Sequence, residues 1–162
     1  KLDGRIMQAV GSIQAFKAVE IGLGFQLGGI RGSLAHDEID FDPALRDTPS
    51  LGFTRRTNNA GGLEGGMTNG QTIIVRAAKK PISTLLKGLD SVNLITKAPE
   101  RSDYERSDVC AVPAASVIAE NVVAFEIAKA FLEKFSGDTL TEVRAAYEFY
   151  LAAARELGLE KA

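Results

Sequence analysis

The chain has a single cysteine, Cys110, and a single histidine, His36, among its 162 residues. One cysteine cannot form an internal disulfide, which fits a reducing compartment such as the cytoplasm. Together the two residues supply too few ligands for a structural zinc site. His36 lies in the polar stretch SLAHDE, and no nucleophile motif accompanies it, so a Ser-His-Asp hydrolase is not indicated. We therefore expect a solvated histidine and no metal centre.

The sequence also lacks any uninterrupted apolar run of about 18 residues, so no membrane span is predicted. Its first residues, KLDGRIMQAV, do not have the layout of a signal peptide. The net charge is −2 and aromatic residues make up only 7%, so neither an anionic membrane nor a nucleic acid is an expected partner. Arg55 and Arg56 are candidates for an RNA contact, but no aromatic platform accompanies them.

The overall composition is that of an ordinary globular protein, with 45% hydrophobic and 25% charged residues. The length suits one domain that covers residues 1–162. Residues 31–56 indicate a long loop with a short extended piece near Phe53. The hydrophobic patterns predict helices at 5–16, 113–135 and 139–157, strands at 17–23, 71–78 and 91–97, and a turn or short helix at 82–89. Because strands and helices do not alternate, we predict an α+β fold.

The two last helices carry the clearest signals. The helix at 113–135 is apolar nearly all the way round in its first half, which is typical of a helix buried between two layers. Thr139 and Glu142 stand three residues apart after the breaker SGD. This spacing predicts a capping box at the start of the last helix.

Glycine and asparagine concentrate in residues 57–70, which read TNNAGGLEGGMTNG. Both residue types disfavour regular helices and strands, so we expect neither there. The segment does not have the spacing of a dinucleotide-binding or Walker A loop. It is either a plain connection or a loop whose bare backbone approaches a ligand.

The stretch KKPIST follows the predicted strand at 71–78. Ser83 and Thr84 could cap the following turn and leave N–H groups facing an anion beside Lys80. A capped turn at a strand end, without any ligand, explains the same residues.

The stretch ERSDVCAVP precedes the predicted helix at 113–135. Arg106 could bind a carboxylate or phosphate, and Asp108 could accept a proton. The alternative is an Arg–Asp pair on the surface that contributes little.

Five stretches together resemble the C-terminal part of chorismate synthases, in that family's order and at similar spacings. They are SIQAFKAVEIGLGF (12–25), RGSLAHDE (31–38), RRTNNAGGLEGGMTNGQ (55–71), RAAKKPIST (76–84) and RSDVCAVPAA (106–115). The resemblance implies helices packed against antiparallel sheet in a β-α-β sandwich, assembled as a homotetramer. It also implies formation of chorismate from 5-enolpyruvylshikimate 3-phosphate by 1,4-anti elimination of phosphate, with reduced FMN as cofactor and NADPH as a candidate reductant of the flavin.

The resemblance also implies roles for particular residues. Those expected to contact FMN are Gln14, Ala15, Gly65, Lys80, Pro81, Ile82, Ser83, Thr84 and Arg106. Lys80 and Thr84 would hold the FMN phosphate. Arg106 would also lie against the substrate carboxylate, and Asp108 would act as a base near flavin N5. The glycines of residues 57–70 would let the backbone pack against the flat flavin ring.

One departure from the family limits these expectations. Members of the family are more than twice this length, and nothing here matches the histidines or the arginine cluster of their N-terminal half. We therefore expect a fragment that does not turn over substrate by itself. The remaining alternatives are a non-catalytic half-domain that binds flavin and a module that serves assembly.

Overall fold

A computed structural model describes residues 1–106 and 109–156 of the chain. The helices are α1 (Leu2–Gly11), α2 (Gly32–Ala35), α3 (Val112–Lys134) and α4 (Leu140–Glu156), with 3-10 turns at Gly24–Gly29 and Pro43–Leu45. The strands are β1 (Phe16–Ile21), β2 (Ile39–Phe41), β3 (Phe53–Arg55), β4 (Leu63–Glu64), β5 (Met67–Thr68), β6 (Val75–Lys79), β7 (Asp90–Val92) and β8 (Pro99–Arg101). They form four antiparallel pairs, β1–β6, β2–β3, β4–β5 and β7–β8. Helices with antiparallel strands confirm the α+β prediction.

The core lies where α1 packs on both the β1–β6 ladder and α3. Leu2, Ile6 and Val10 recur every fourth residue along α1 and are buried, and the last two are completely inaccessible to solvent. This spacing places them on one face of the helix. Phe16 and Ala115 bring β1 and α3 into the same cluster. The predicted strand at 17–23 is thus confirmed as β1, shifted by one to two residues.

Helix α1 ends at Gly11, five residues earlier than the periodicity predicts. The apolar residues Ile13 and Phe16 continue the pattern and still pack on the core. Between them Ala15 adopts a φ of 70°, a left-handed conformation that a helix cannot contain. The chain turns there and runs back along α1 as β1.

The region 31–56 is more structured than the sequence predicts. The extended piece near Phe53 is strand β3, and it pairs with β2 in a hairpin. The rings of Phe41 and Phe53 lie 5.4 Å apart across this pair. Arg56 donates hydrogen bonds to Asp40 and Glu38 on the neighbouring strand segment. Its guanidinium therefore links the two sides of the hairpin.

The region 82–101 differs in detail from the prediction. Of the two alternatives predicted for 82–89, a short helix or a turn, the structure shows the turn, which ends at Gly88 with a φ of 67°. The predicted strand at 91–97 is shorter: β7 ends at Val92, and the turn that follows leads into β8.

The long helices match the sequence best. Helix α3 was predicted at 113–135 and is found at Val112–Lys134. The capping box is confirmed, because the Thr139 amide donates to Glu142 Oε2 at 2.8 Å and the Glu142 amide donates to Thr139 Oγ1 at 3.3 Å. Within the described residues, no helix is long and apolar enough to cross a membrane.

The prediction that α3 is buried between two layers is wrong for the described part of this chain. One side contacts α1, but Val117, Ile118 and Phe125 on another side are more than half exposed. In the described ranges, 1–106 and 109–156, α3 packs on α1, and its C-terminal end contacts α4 through Phe131 and Tyr147, whose rings lie 5.4 Å apart.

Candidate functional site

Two groups of predicted site residues lie beside each other at one end of the β1–β6 ladder. Gln14 and Ala15 immediately precede β1, and Lys80 immediately follows β6. Their contact follows from the antiparallel register, which places Phe16 opposite Lys79. The Lys80 amide donates a hydrogen bond to the Ala15 carbonyl at 2.7 Å. Pairing thus joins two motifs that are far apart in the sequence.

This end of the ladder has the chemistry of an anion site. The side chains of Lys80 and Ser83 are exposed, and that of Thr84 is half-buried. An ammonium and a hydroxyl group are suitable donors to phosphate oxygens. The positive φ of Ala15 is an unfavourable backbone conformation for a residue with a Cβ atom, and such conformations concentrate at functional sites.

The remaining residues of this group differ in accessibility. Gln14 and Pro81 are exposed, whereas Ile82 is half-buried. A ligand at this end would therefore meet the amide of Gln14 directly. Ile82 would be less accessible to such a ligand.

The Gly-rich segment lies at the opposite end of the same ladder. The amide of Ile74, just before β6, donates to the Gly61 carbonyl at 3.1 Å, and the Gly22 amide, just after β1, donates to Ile74 at 3.0 Å. Six residues of extended strand span about 20 Å. The structure therefore brings Ala15 and Lys80 together but leaves Gly65 at the other end.

Most glycines of this segment serve contacts within the chain. A Cβ atom built on Gly61 would lie 2.3 Å from the Gly22 amide nitrogen, and one built on Gly22 would lie 2.1 Å from the Asn59 carbonyl oxygen. A Cβ atom on Gly62 would lie 2.7 Å from the Thr72 carbonyl oxygen. These positions need glycine because two backbone segments touch there.

Gly65 is different, because a Cβ atom there would lie more than 4 Å from every residue described apart from its chain neighbours. It forms, with Gly66, the two-residue connection between β4 and β5, and their φ values are 61° and 83°. Positive φ at both positions is what a type I′ hairpin turn requires. The expectation that residues 57–70 contain no strand is therefore wrong. Gly65 is exposed, and its open surface is the part of the segment that a ligand could approach.

The residues proposed for chemistry lie in the segment between β8 and α3. Arg106 is exposed there. Asp108 lies outside the described residues, so its predicted role as a base stays a prediction. His36 is exposed, as predicted. No group of three or more His, Cys, Asp or Glu that could hold a metal ion occurs in the described part of the chain.

One buried polar residue near the Gly-rich segment was not predicted: Asp37, which is 6% exposed. Its Oδ1 accepts hydrogen bonds from Thr57 Oγ1 at 2.5 Å and from the Asn59 amide at 2.7 Å, while Oδ2 accepts from the Ala60 amide at 2.9 Å. The side chain of Arg55 donates to the Asp37 backbone carbonyl at 3.0 Å. These partners lie about 20 residues away in the sequence, so no local pattern marks Asp37.

The environment of Asp37 lowers the pKa of its carboxyl group. Burial alone would raise that pKa, but the hydrogen bonds from Thr57, Ala60 and Asn59 and the charge of Arg55 favour the ionised form more strongly. The contribution of Asp37 to folding is therefore fully present above the pKa of the unfolded carboxyl, about 3.9. It is lost as the pH falls through the lower pKa of the folded state.

We expect Asp37→Asn to reduce the acid sensitivity of the fold. As the pH falls below about 4, the unfolding free energy of the wild type should decrease. That of the variant should decrease less, because its amide does not titrate. Urea unfolding at a series of pH values measures this. Asp90→Asn is the control, because Asp90 is almost fully exposed. Identical pH profiles for wild type and Asp37→Asn would contradict the assignment.

Comparisons with known proteins show which family the chain resembles. The family model for chorismate synthase matches residues 1–132. Chorismate synthase of Geobacter metallireducens is 60% identical over 152 residues, which are 93% of this chain and 39% of that protein. Chorismate synthase of Brevibacillus brevis is 53% identical over 94% of this chain and 38% of its own length.

A solved structure gives the same result for the fold. A crystal structure of a chorismate synthase superposes with a TM-score of 0.72 and 40% identity, over 96% of this chain and 37% of that one. The chain thus spans about two fifths of the length of the relatives it matches. It belongs to the chorismate synthase family.

Proposed function

We propose that this chain is the C-terminal, flavin-contacting portion of a chorismate synthase, with residues 1–162 as one domain. The enzyme would be a lyase that forms chorismate from 5-enolpyruvylshikimate 3-phosphate by 1,4-anti elimination of phosphate, and it would require reduced FMN. The observation that carries the proposal is the 2.7 Å hydrogen bond between Lys80 and Ala15, because it joins two motifs assigned to the same cofactor.

The residues at both ends of the β1–β6 ladder fit FMN. Lys80 and Thr84 would hold its phosphate, since an ammonium and a hydroxyl group are good phosphate donors and the side chain of Lys80 is exposed. The open surface of Gly65, where no atom would meet a Cβ, suits contact with a flat ring. When bound, reduced FMN would supply electron density that assists the departure of phosphate.

Two residues of the segment before α3 would take part in the reaction, one at the substrate and one near the flavin. The guanidinium of Arg106 is exposed and would bind the substrate carboxylate through two parallel hydrogen bonds. Asp108 would accept a proton near flavin N5, as a general base does. The histidines and arginine cluster of the family have no counterpart in these 162 residues, so we further propose that the chain alone does not turn over substrate.

The quaternary proposal rests on the exposed side of α3. Phe125 is 65% exposed there, and an apolar helix face of this kind is suited to contact with further protein. This favours assembly into the homotetramer of the family. The same face also agrees with a module that serves assembly only, which predicts oligomers and no binding of FMN.

The functional tests use a chimera, defined as the Geobacter metallireducens relative in which this chain replaces the matching segment. In the chimera, Lys80→Ala should weaken FMN binding about tenfold or more, because a charge-assisted hydrogen bond to phosphate is lost. Quenching of flavin fluorescence measures the Kd. Lys87→Ala is the control, since Lys87 is also exposed but lies farther along the chain. Equal Kd values for the two variants would contradict the role of Lys80.

A further inference from the structure

Asp37 lies at the centre of a network that reaches the exposed turn at Gly65. Its carboxylate accepts the side-chain hydrogen bond of Thr57 and the amides of Asn59 and Ala60. These bonds fix the backbone of the loop at the point where it leaves strand β3. Asp37 is buried, and each of its carboxylate oxygens accepts a hydrogen bond.

The hydrogen-bond network extends from Asp37 along the loop through the side chain of Asn58. Its Oδ1 accepts from the Gly62 amide at 2.8 Å, and its Nδ2 donates to the Thr72 carbonyl at 2.8 Å. The Gly62 carbonyl then accepts from the Asn69 amide at 3.0 Å, which closes the base of the β4–β5 hairpin. The backbone that Asp37 holds is therefore the support of this hairpin.

A second connection runs through Arg55. Its Nη1 donates to the Asp37 carbonyl at 3.0 Å, and its Nη2 lies 2.7 Å from Oε2 of Glu64. Glu64 also accepts from Asn69 Nδ2 at 2.8 Å. Because Glu64 directly precedes Gly65, the Asp37 peptide and the exposed turn are bridged by a single side chain.

Gly65 itself faces open space: among the described residues, none apart from its chain neighbours would lie within 4 Å of a Cβ atom built there. The hydrogen bonds given above are made by its neighbours, such as Glu64. On the other side, the Gly66 carbonyl accepts from the Leu2 amide at 2.9 Å. A ligand that packs on Gly65 would therefore contact a turn whose position depends on the hydrogen bonds of Asp37 and Arg55.

We propose that Asp37 is a positioning residue for the flavin-contacting surface of the Gly-rich segment, and this inference rests on the proposed function. Asp37 does not touch the ligand. It holds residues 57–62 so that Gly65 is presented in one conformation before binding. A preorganised loop binds more tightly, because less conformational entropy is lost on association.

The first test measures amide hydrogen exchange in the 162-residue chain without ligand. The asparagine of Asp37→Asn has nearly the same shape as aspartate, but its Nδ2 cannot accept a hydrogen bond from the Ala60 amide. We expect exchange at Asn59, Ala60 and Gly62 to accelerate at least tenfold, while amides of the β1–β6 ladder stay protected. Unchanged exchange in the loop would overturn the inference. Acceleration in the ladder as well would overturn it too, because that result indicates general destabilisation.

The second test measures FMN affinity in the chimera, with Asp40→Asn as the matched control. Asp40 is also a paired carboxylate, but its partner is Arg56 on the hairpin surface, outside the network of Asp37. We expect the Kd for FMN to rise at least tenfold in Asp37→Asn and less than twofold in Asp40→Asn. Equal affinity of Asp37→Asn and wild type would overturn the inference. Absence of FMN binding by the unmutated chimera would overturn the proposed function instead, and the exchange experiment would still decide whether Asp37 positions the loop.

Discussion

Gly22→Ala is expected to lower the unfolding free energy of the chain by at least about 3 kcal/mol. Gly22 has a φ of 60°, which is unfavourable for any residue with a Cβ atom. The added carbon would also lie 2.1 Å from the Asn59 carbonyl oxygen and 2.6 Å from the Gly61 amide nitrogen. Both are backbone atoms, so no rotamer change can relieve the overlap. The Gly-rich segment would have to move away from the end of β1.

Urea unfolding of Gly22→Ala and Gly65→Ala separates the two contributions. Gly65 has nearly the same φ, 61°, but its Cβ atom would meet no neighbour within 4 Å. It should therefore lose only the conformational part, about 1–2 kcal/mol. An equal loss of unfolding free energy in the two variants would contradict the claim that the Asn59 and Gly61 backbone leaves no room for a Cβ atom at Gly22.

Arg106→Ala should reduce kcat/KM for chorismate formation by the chimera about 100-fold or more. The pair of Arg106 and the substrate carboxylate would be shielded from water once substrate is bound in the complete enzyme, and removing one partner of such a pair typically costs about 2–5 kcal/mol. Arg106→Lys should recover only part of the activity, because an ammonium keeps the charge but cannot form two parallel hydrogen bonds with a carboxylate. Steady-state kinetics under anaerobic conditions measure both variants.

Arg101→Ala provides the control for Arg106. It is also exposed and lies five residues earlier, at the end of β8, where its guanidinium is 3.6 Å from Asp90. An exposed pair of this kind contributes little to stability, and no role in the site is proposed for it. A loss of activity in Arg101→Ala as large as in Arg106→Ala would mean that the whole segment, and not Arg106, is responsible.

The sequence predicts those elements whose signals are long or local. Helix α3 carries a pattern of more than 20 residues, and the capping box of α4 needs only Thr139 and Glu142. Strand β2 was missed because it has three residues, too few for an alternating pattern to be read. The β4–β5 hairpin was missed because its glycines argue against a strand, although Gly65 and Gly66 are what its turn requires.

The site is predicted less completely, because its geometry depends on pairing between distant residues. The contact of Ala15 with Lys80 arises from the register of β1 and β6, which neither motif encodes alone. The division of roles among the glycines also depends on tertiary contacts: Gly61 faces the backbone of Gly22, whereas Gly65 faces open space. Asp37 has no local signal at all, since its hydrogen-bond donors come from the segment after β3.

The most direct test of the proposed function is chorismate formation from 5-enolpyruvylshikimate 3-phosphate with reduced FMN under anaerobic conditions. The assay compares the purified 162-residue chain with the chimera. We predict that the chimera forms chorismate and that the chain alone does not. An inactive but folded chimera would contradict the claim that this chain carries a competent part of the site, and robust turnover by the chain alone would contradict the claim that it needs the rest of the enzyme.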